Sequence, residues 1–165
     1  MLEKCKVIYK GDIVTAKFYI LVGLILLFFA LFLTFFVSNT GYKMLSTGLY
    51  VLMVYCTGKG LFMWISYSQR LKFYDTLTEL NPIFRQGEIE YTEYRIMKKQ
   101  KNRRSYIYIV ILSSVFAFAG IFSAQKVLIM ATAIPIALIS GLETGLGLLT
   151  EFRLSIFLRA LKRGE

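Results

Sequence analysis

Two residues carry full charges inside otherwise apolar runs: Lys59, between two glycines in GLYVLMVYCTGKGLFMW (48–64), and Glu143, in IALISGLETGLGLL (136–149). An ammonium near the centre of a membrane helix costs roughly 2.5 to 3.5 kcal/mol on insertion scales, so it persists where a partner or water offsets that cost. Lys59 lies about fourteen residues in from the outer end of its run and Glu143 about sixteen. At 1.5 Å per residue both sit roughly 21 to 24 Å below the outer surface. Equal depth and opposite sign predict that they pair, within one chain or across a subunit boundary. Three roles stay open for them: a structural ion pair, a lysine that snorkels to the inner interface, and an ion or proton relay.

The neighbours predict a polar seam around the pair. At 100° per residue, Thr132 and Thr150 fall within about 20° of Glu143 and Ser140 within about 60°, while Gly48 and Ser66 fall within about 20° of Lys59, with Tyr55 one turn before it. On the opposite side of the last run, Ala133, Ala137, Gly141 and Gly145 recur every fourth residue, a stripe that lets another helix approach closely. Other chemistry is not foreshadowed. Gly58 and Gly60 superficially resemble a phosphate loop but lack its remaining residues. The sequence contains no histidine, the commonest general base and metal ligand. Cys5 and Cys56 form neither a metal-spaced pair nor an expected disulfide. No metal, no cofactor and no enzymatic reaction are expected.

The elements that must position these residues follow from composition. The chain has 165 residues, of which 56% are hydrophobic and 16% aromatic, with apolar runs of a length that soluble domains do not contain. The fold class predicted is an all-α integral membrane protein with four transmembrane helices arranged as two helical hairpins. Hydrocarbon about 30 Å thick requires roughly 20 helical residues, and the spans predicted are 18–37, 44–66, 106–124 and 127–149, the last interrupted by Pro135. Phe18, Phe28, Phe29, Phe32, Phe35 and Phe36 mark the first span as a lipid-facing helix with few close neighbours, and the start reads as a retained signal anchor. Phe18, Tyr19, Tyr42, Trp64, Tyr67 and Tyr106 are expected at headgroup level.

Of the 20 Lys and Arg residues, Lys4, Lys6, Lys10 and Lys17 precede the first span, nine lie in 67–105 and four follow residue 149, whereas Lys43 and Lys126 alone occupy the other connections. The positive-inside rule then places both termini and the segment 67–105 in the cytoplasm, of a bacterial inner membrane. That segment is expected to continue the second helix through QRLKFYDTLTEL, to break at Asn81 and Pro82, and to resume through EIEYTEYRIMKKQKNRRS. The tail 150–165 is predicted as an amphipathic interfacial helix. A shift of 83 residues sets Gly58, Arg70 and Leu71 on Gly141, Arg153 and Leu154, a weak sign of duplication.

The function expected is an oligomeric channel or transport path for an ion or small solute, lined by Lys59 and Glu143, with the small-residue stripe joining copies into a homo-oligomer. The alternative is a non-transporting anchor or sensor that recruits a cytoplasmic protein partner, as in a secretion or defence assembly. Arg95, Lys98, Lys99, Lys101, Arg103 and Arg104 are the expected contacts to anionic headgroups or to that partner; a solvated cluster that only sets orientation is the simpler account. A nucleic-acid partner is not expected.

Overall fold

The computed structural model describes residues 2–77 and 81–163 as four long helices: α1 (Leu2–Phe36), α2 (Thr40–Thr76), α3 (Pro82–Gly120) and α4 (Lys126–Arg163). Two of them begin where capping chemistry favours it. The Asn39 side chain accepts the Gly41 N–H at 2.8 Å to start α2, and Asn81 accepts from Ile83 at 3.3 Å to start α3, with Pro82 in the first turn. Arg85, one turn into α3, donates from Nε to the Leu161 carbonyl at 2.9 Å, satisfying an end of α4 that has no intrahelical donor.

Three helices, α1, α2 and α4, are long and apolar enough to cross a membrane. Of the four spans expected, three meet that measure; α3 stops at Gly120 and the turn at Ile121–Gln125 follows. The uncharged part of α3 runs from Ser105 to Gly120, and the uncharged turn to Gln125 completes a stretch of the roughly 20 residues a crossing requires. The expected continuation of α2 is also shortened: it ends at Thr76, with Leu77 already extended, and residues 78–80 lie outside the described chain.

A second correction concerns the tail. Residues 150–163 are not a separate interfacial helix but the last turns of α4, and residues 164–165 lie outside the described chain. Thr150, Leu154, Phe157 and Leu161 recur at spacings of four, three and four, and all are buried. Phe157 and Leu161 share a core with Cys5, Tyr9 and Tyr74. A stripe of that kind is stabilised by burial against neighbouring helices rather than by lying on lipid.

Glycines set how closely the helices approach. A Cβ on Gly60 would stand 2.9 Å from the Ala16 carbonyl oxygen, and one on Gly23 would stand 2.5 Å from the Thr57 methyl group, so α1 and α2 pack backbone to backbone in opposite directions. Gly48 meets Ala131 and Pro135 of α4 in the same way, and Gly120 meets Ile129. The expected stripe on α4 does not serve this purpose within the chain: Ala133 is buried and Ala137 half-buried, but Gly141 and Gly145 are exposed, with nothing within 4 Å of an added Cβ. The first span is likewise two-sided. Its six phenylalanines are exposed as expected, yet Ala16, Tyr19, Gly23 and Ala30 form a buried face, so the expectation of few close neighbours is wrong on that side.

Close backbone approach joins α1 to α2, α3 to α4, and α4 to α1 and α2. Among the described residues, α3 meets α1 and α2 through long polar side chains instead.

Candidate functional site

Lys59 and Glu143 meet. The Lys59 ammonium forms an ion pair with Oε1 of Glu143, and the same oxygen accepts the Tyr19 hydroxyl at 2.9 Å and the Tyr55 hydroxyl at 3.0 Å. Lys59 Nζ also lies 4.7 Å from the centre of the Tyr19 ring and 5.5 Å from that of Tyr55, an arrangement in which the ring faces further stabilise the cation. Glu143 is only 4% exposed. A carboxylate so far from water requires such donors, and α1, α2 and α4 each supply a part.

The remaining seam divides. Tyr55 belongs to the site as predicted, and Thr150 is buried at the edge of the recess that leads to the pair. Ser140 is buried on α4, but its carbonyl accepts from Thr144 and it is not among the donors to Glu143. Thr132 is exposed and donates to the Leu128 and Ile129 carbonyls of its own helix; it shares a face with Glu143 but stands eleven residues, about 16 Å, along the axis. Ser66 lines a different recess, with Arg70 and Glu88. Gly48 packs on α4.

Tyr19 is the site residue that sequence reasoning misplaced: it was expected at headgroup level and is instead 1% exposed, with its hydroxyl on Glu143. Two further acid clusters were not anticipated. Asp12, also 1% exposed, accepts from Arg95 at 2.7 Å and from Arg153 at 2.9 Å. Glu88 accepts from Tyr74 at 2.5 Å and from Tyr9 at 2.9 Å, with Arg70 at 3.4 Å. Burial, and after it the Glu88 charge at Tyr9 and the Glu88 hydrogen bond at Tyr74, push both hydroxyls up from their ordinary pKa, so both stay protonated donors. The signal in the sequence was the spacing of Tyr9, Asp12, Ala16, Tyr19 and Gly23, which places two tyrosines, an acid and two small residues on one face of α1.

A recess of about 350 Å³ runs from Arg95 and Tyr67, beside Asp12, to the Lys59–Glu143 pair. It lies between α2, α3 and α4, and its cations are Lys59, Arg95, Lys98, Lys99 and Arg103, against the single acid Glu143. Burial, and after it the Lys59 charge, holds the Lys99 amine below its ordinary pKa. No protein-family model, curated protein or solved structure matches this chain. Its site is therefore read from geometry alone.

That geometry separates the six basic residues grouped as one surface contact. Arg95 is not a headgroup contact: it is nearly buried, paired with Asp12 and stacked 5.0 Å from the Tyr67 ring. Arg103 is paired with Glu151 at 2.8 Å. Lys98, exposed, and Lys99, half-buried, line the recess, whereas the exposed Lys101 and Arg104 do not. Cys5 and Cys56 are both buried free thiols.

Proposed function

We propose that this chain is a subunit of an oligomeric membrane assembly that carries an ion or small solute, with the Lys59–Glu143 pair as the gate of its path. In this reading all four helices cross a bacterial inner membrane as two hairpins. The termini and the polar ends of the helices are cytoplasmic, and the uncharged part of α3 enters from that side. The observation that carries the reading is the basic recess that runs to a buried ion pair, which this reading puts at inner-leaflet depth. A charged recess of one sign concentrates counter-ions at its mouth. In this reading the two tyrosine donors hold the pair closed, and release of Lys59 toward the recess opens the path. The open ground beside Gly141 and Gly145 supports contact with a second copy.

The test is flux in proteoliposomes, followed with a proton-sensitive dye inside and, separately, a chloride-sensitive one. The intact protein is expected to conduct, and Lys59→Met and Glu143→Gln to change the rate at least tenfold. The near-complete burial of Glu143 favours a second reading, a non-transporting anchor that recruits a cytoplasmic protein through exposed cations such as Lys101 and Arg104. No flux from liposomes that contain the assembled oligomer would favour the anchor.

A further inference from the structure

We infer that the recess between α2, α3 and α4 binds the phosphate group of an anionic amphiphile, with Lys98 and Lys99 as its charged contacts. The inference deepens the proposed path by naming the class of molecule that enters it, and rests on that reading for the membrane level of the recess.

Three of the five cations in the recess already have acid partners: Lys59 has Glu143, Arg95 has Asp12, and Arg103 has Glu151. Lys98 and Lys99 have none among the described residues, and both line the recess. Lys99 is half-buried, and its lowered pKa reflects burial first and the nearby Lys59 and Arg95 charges with it. Lys98 is exposed at the mouth of the recess and Lys99 half-buried within it; cations brought together there repel one another, and an anion placed among them removes that cost. A phosphate suits the arrangement better than a carboxylate, because its oxygens can accept from both ammonium groups and from neutral donors such as Asn102 and Tyr94 at once.

The amphiphile follows from the walls. Phe62, Met63 and Tyr106 border the recess on the side of the apolar runs. The α2 and α3 backbones nowhere approach closely, so the wall between them is made of side chains. On α3 the recess spans the change from KKQKNRRS to YIYIVIL, where a phospholipid headgroup meets its acyl chains. A volume of about 350 Å³ accommodates a headgroup of glycerol size at the lower end of ordinary ligand sites.

The experiment is thermal unfolding of the full chain in a neutral detergent with phosphatidic acid, phosphatidylglycerol, phosphatidylcholine or inorganic phosphate added in turn. Phosphatidic acid and phosphatidylglycerol are expected to raise the melting temperature by about 5 °C at saturating concentration, and phosphatidylcholine to leave it unchanged. Lys98→Ala with Lys99→Ala is expected to abolish the shift, whereas the outward pair Lys101→Ala with Arg104→Ala, an equal change of charge on the same helix, is expected to retain it. Equal shifts from all three lipids, or equal losses in the two double variants, would overturn the site. A shift from inorganic phosphate as large as that from phosphatidic acid would overturn the amphiphile in favour of a free phosphate ion. Binding in detergent requires no gradient, so a failure of flux leaves this result standing, and a failure of binding leaves the flux measurement standing.

Discussion

Each buried acid in this protein is surrounded by donors taken from distant parts of the chain, and the Lys59–Glu143 pair shows what that arrangement implies for single substitutions. Removing one member of a buried pair strands the other charge, which typically costs about 3 to 5 kcal/mol. Glu143→Gln is therefore expected to lower stability by about 3 kcal/mol, and Lys59→Met by a similar amount. The double variant, with neither charge to strand, is expected to lose less than the sum. Chemical or thermal unfolding of the four proteins checks this, and additive losses would mean the two side chains do not interact. Cys5 supplies a prediction with a pH axis. Burial, and secondarily the Glu88 charge, push its thiol up to about 11 from 9.0. The folded chain thus resists ionisation that the unfolded chain permits, so this contribution to stability is complete below about pH 9 and is lost as pH rises toward 11. Alkylation of Cys5 at pH 8 is expected to be slow in the folded protein and fast after denaturation, as mass spectrometry of the labelled peptide would show.

At the scale of the elements, two glycines flanking Lys59 have opposite roles. Gly60 lies against the backbone of α1, and a methyl group there has no flexible neighbour to displace at the Ala16 carbonyl. Gly58 has nothing within 4 Å of an added Cβ. Gly60→Ala is expected to separate α1 from α2 and to destabilise the protein by about 1 to 3 kcal/mol. Gly58→Ala is expected to be neutral or stabilising by up to about 1 kcal/mol, through helix propensity. Melting temperatures of the two variants distinguish them, and equal values would mean that α1 and α2 are not packed as described. The attachment of α3 to α1 and α2 is of another kind, since it rests on polar side chains at Asp12, Glu88 and Arg95 rather than on backbone proximity.

For the whole molecule, three acid clusters built on Glu88, Asp12 and Glu143 succeed one another along the bundle. Tyr9, Asp12 and Tyr19 of α1 each contribute to one of them, over ten residues or about 15 Å. The outer surface exposes many large apolar side chains, including Phe28, Phe35, Phe116, Phe122 and Phe152, as suits a chain with three helices long and apolar enough to cross a membrane. Within that surface Gly141 and Gly145 form a shallow strip that the chain itself leaves open. Gly141→Leu with Gly145→Leu is expected to leave the fold of one chain intact while reducing the proposed assembly to monomers. Light scattering of the detergent-solubilised protein checks this, and an unchanged mass would place the subunit contact elsewhere.

The sequence by itself determined the all-helical architecture and the pairing of Lys59 with Glu143. Apolar runs of bilayer length have few stable forms, and two opposite charges at equal depth have few partners. It also located the start of α3 at Asn81 and Pro82, because capping and proline act locally, but not the end of α2 at Thr76. It did not determine that the tail is α4 continued, that α3 ends at Gly120, or which of six basic residues faces inward. Nor could it show Tyr19, Asp12 and Glu88 as members of buried clusters, since each is an ordinary polar residue until its donors arrive from other helices. Only the tertiary structure decided those points. Burial of a polar group is set by what lies across the interface, and the distance from Asp12 to Arg153 or from Tyr9 to Glu88 along the chain carries no trace of it.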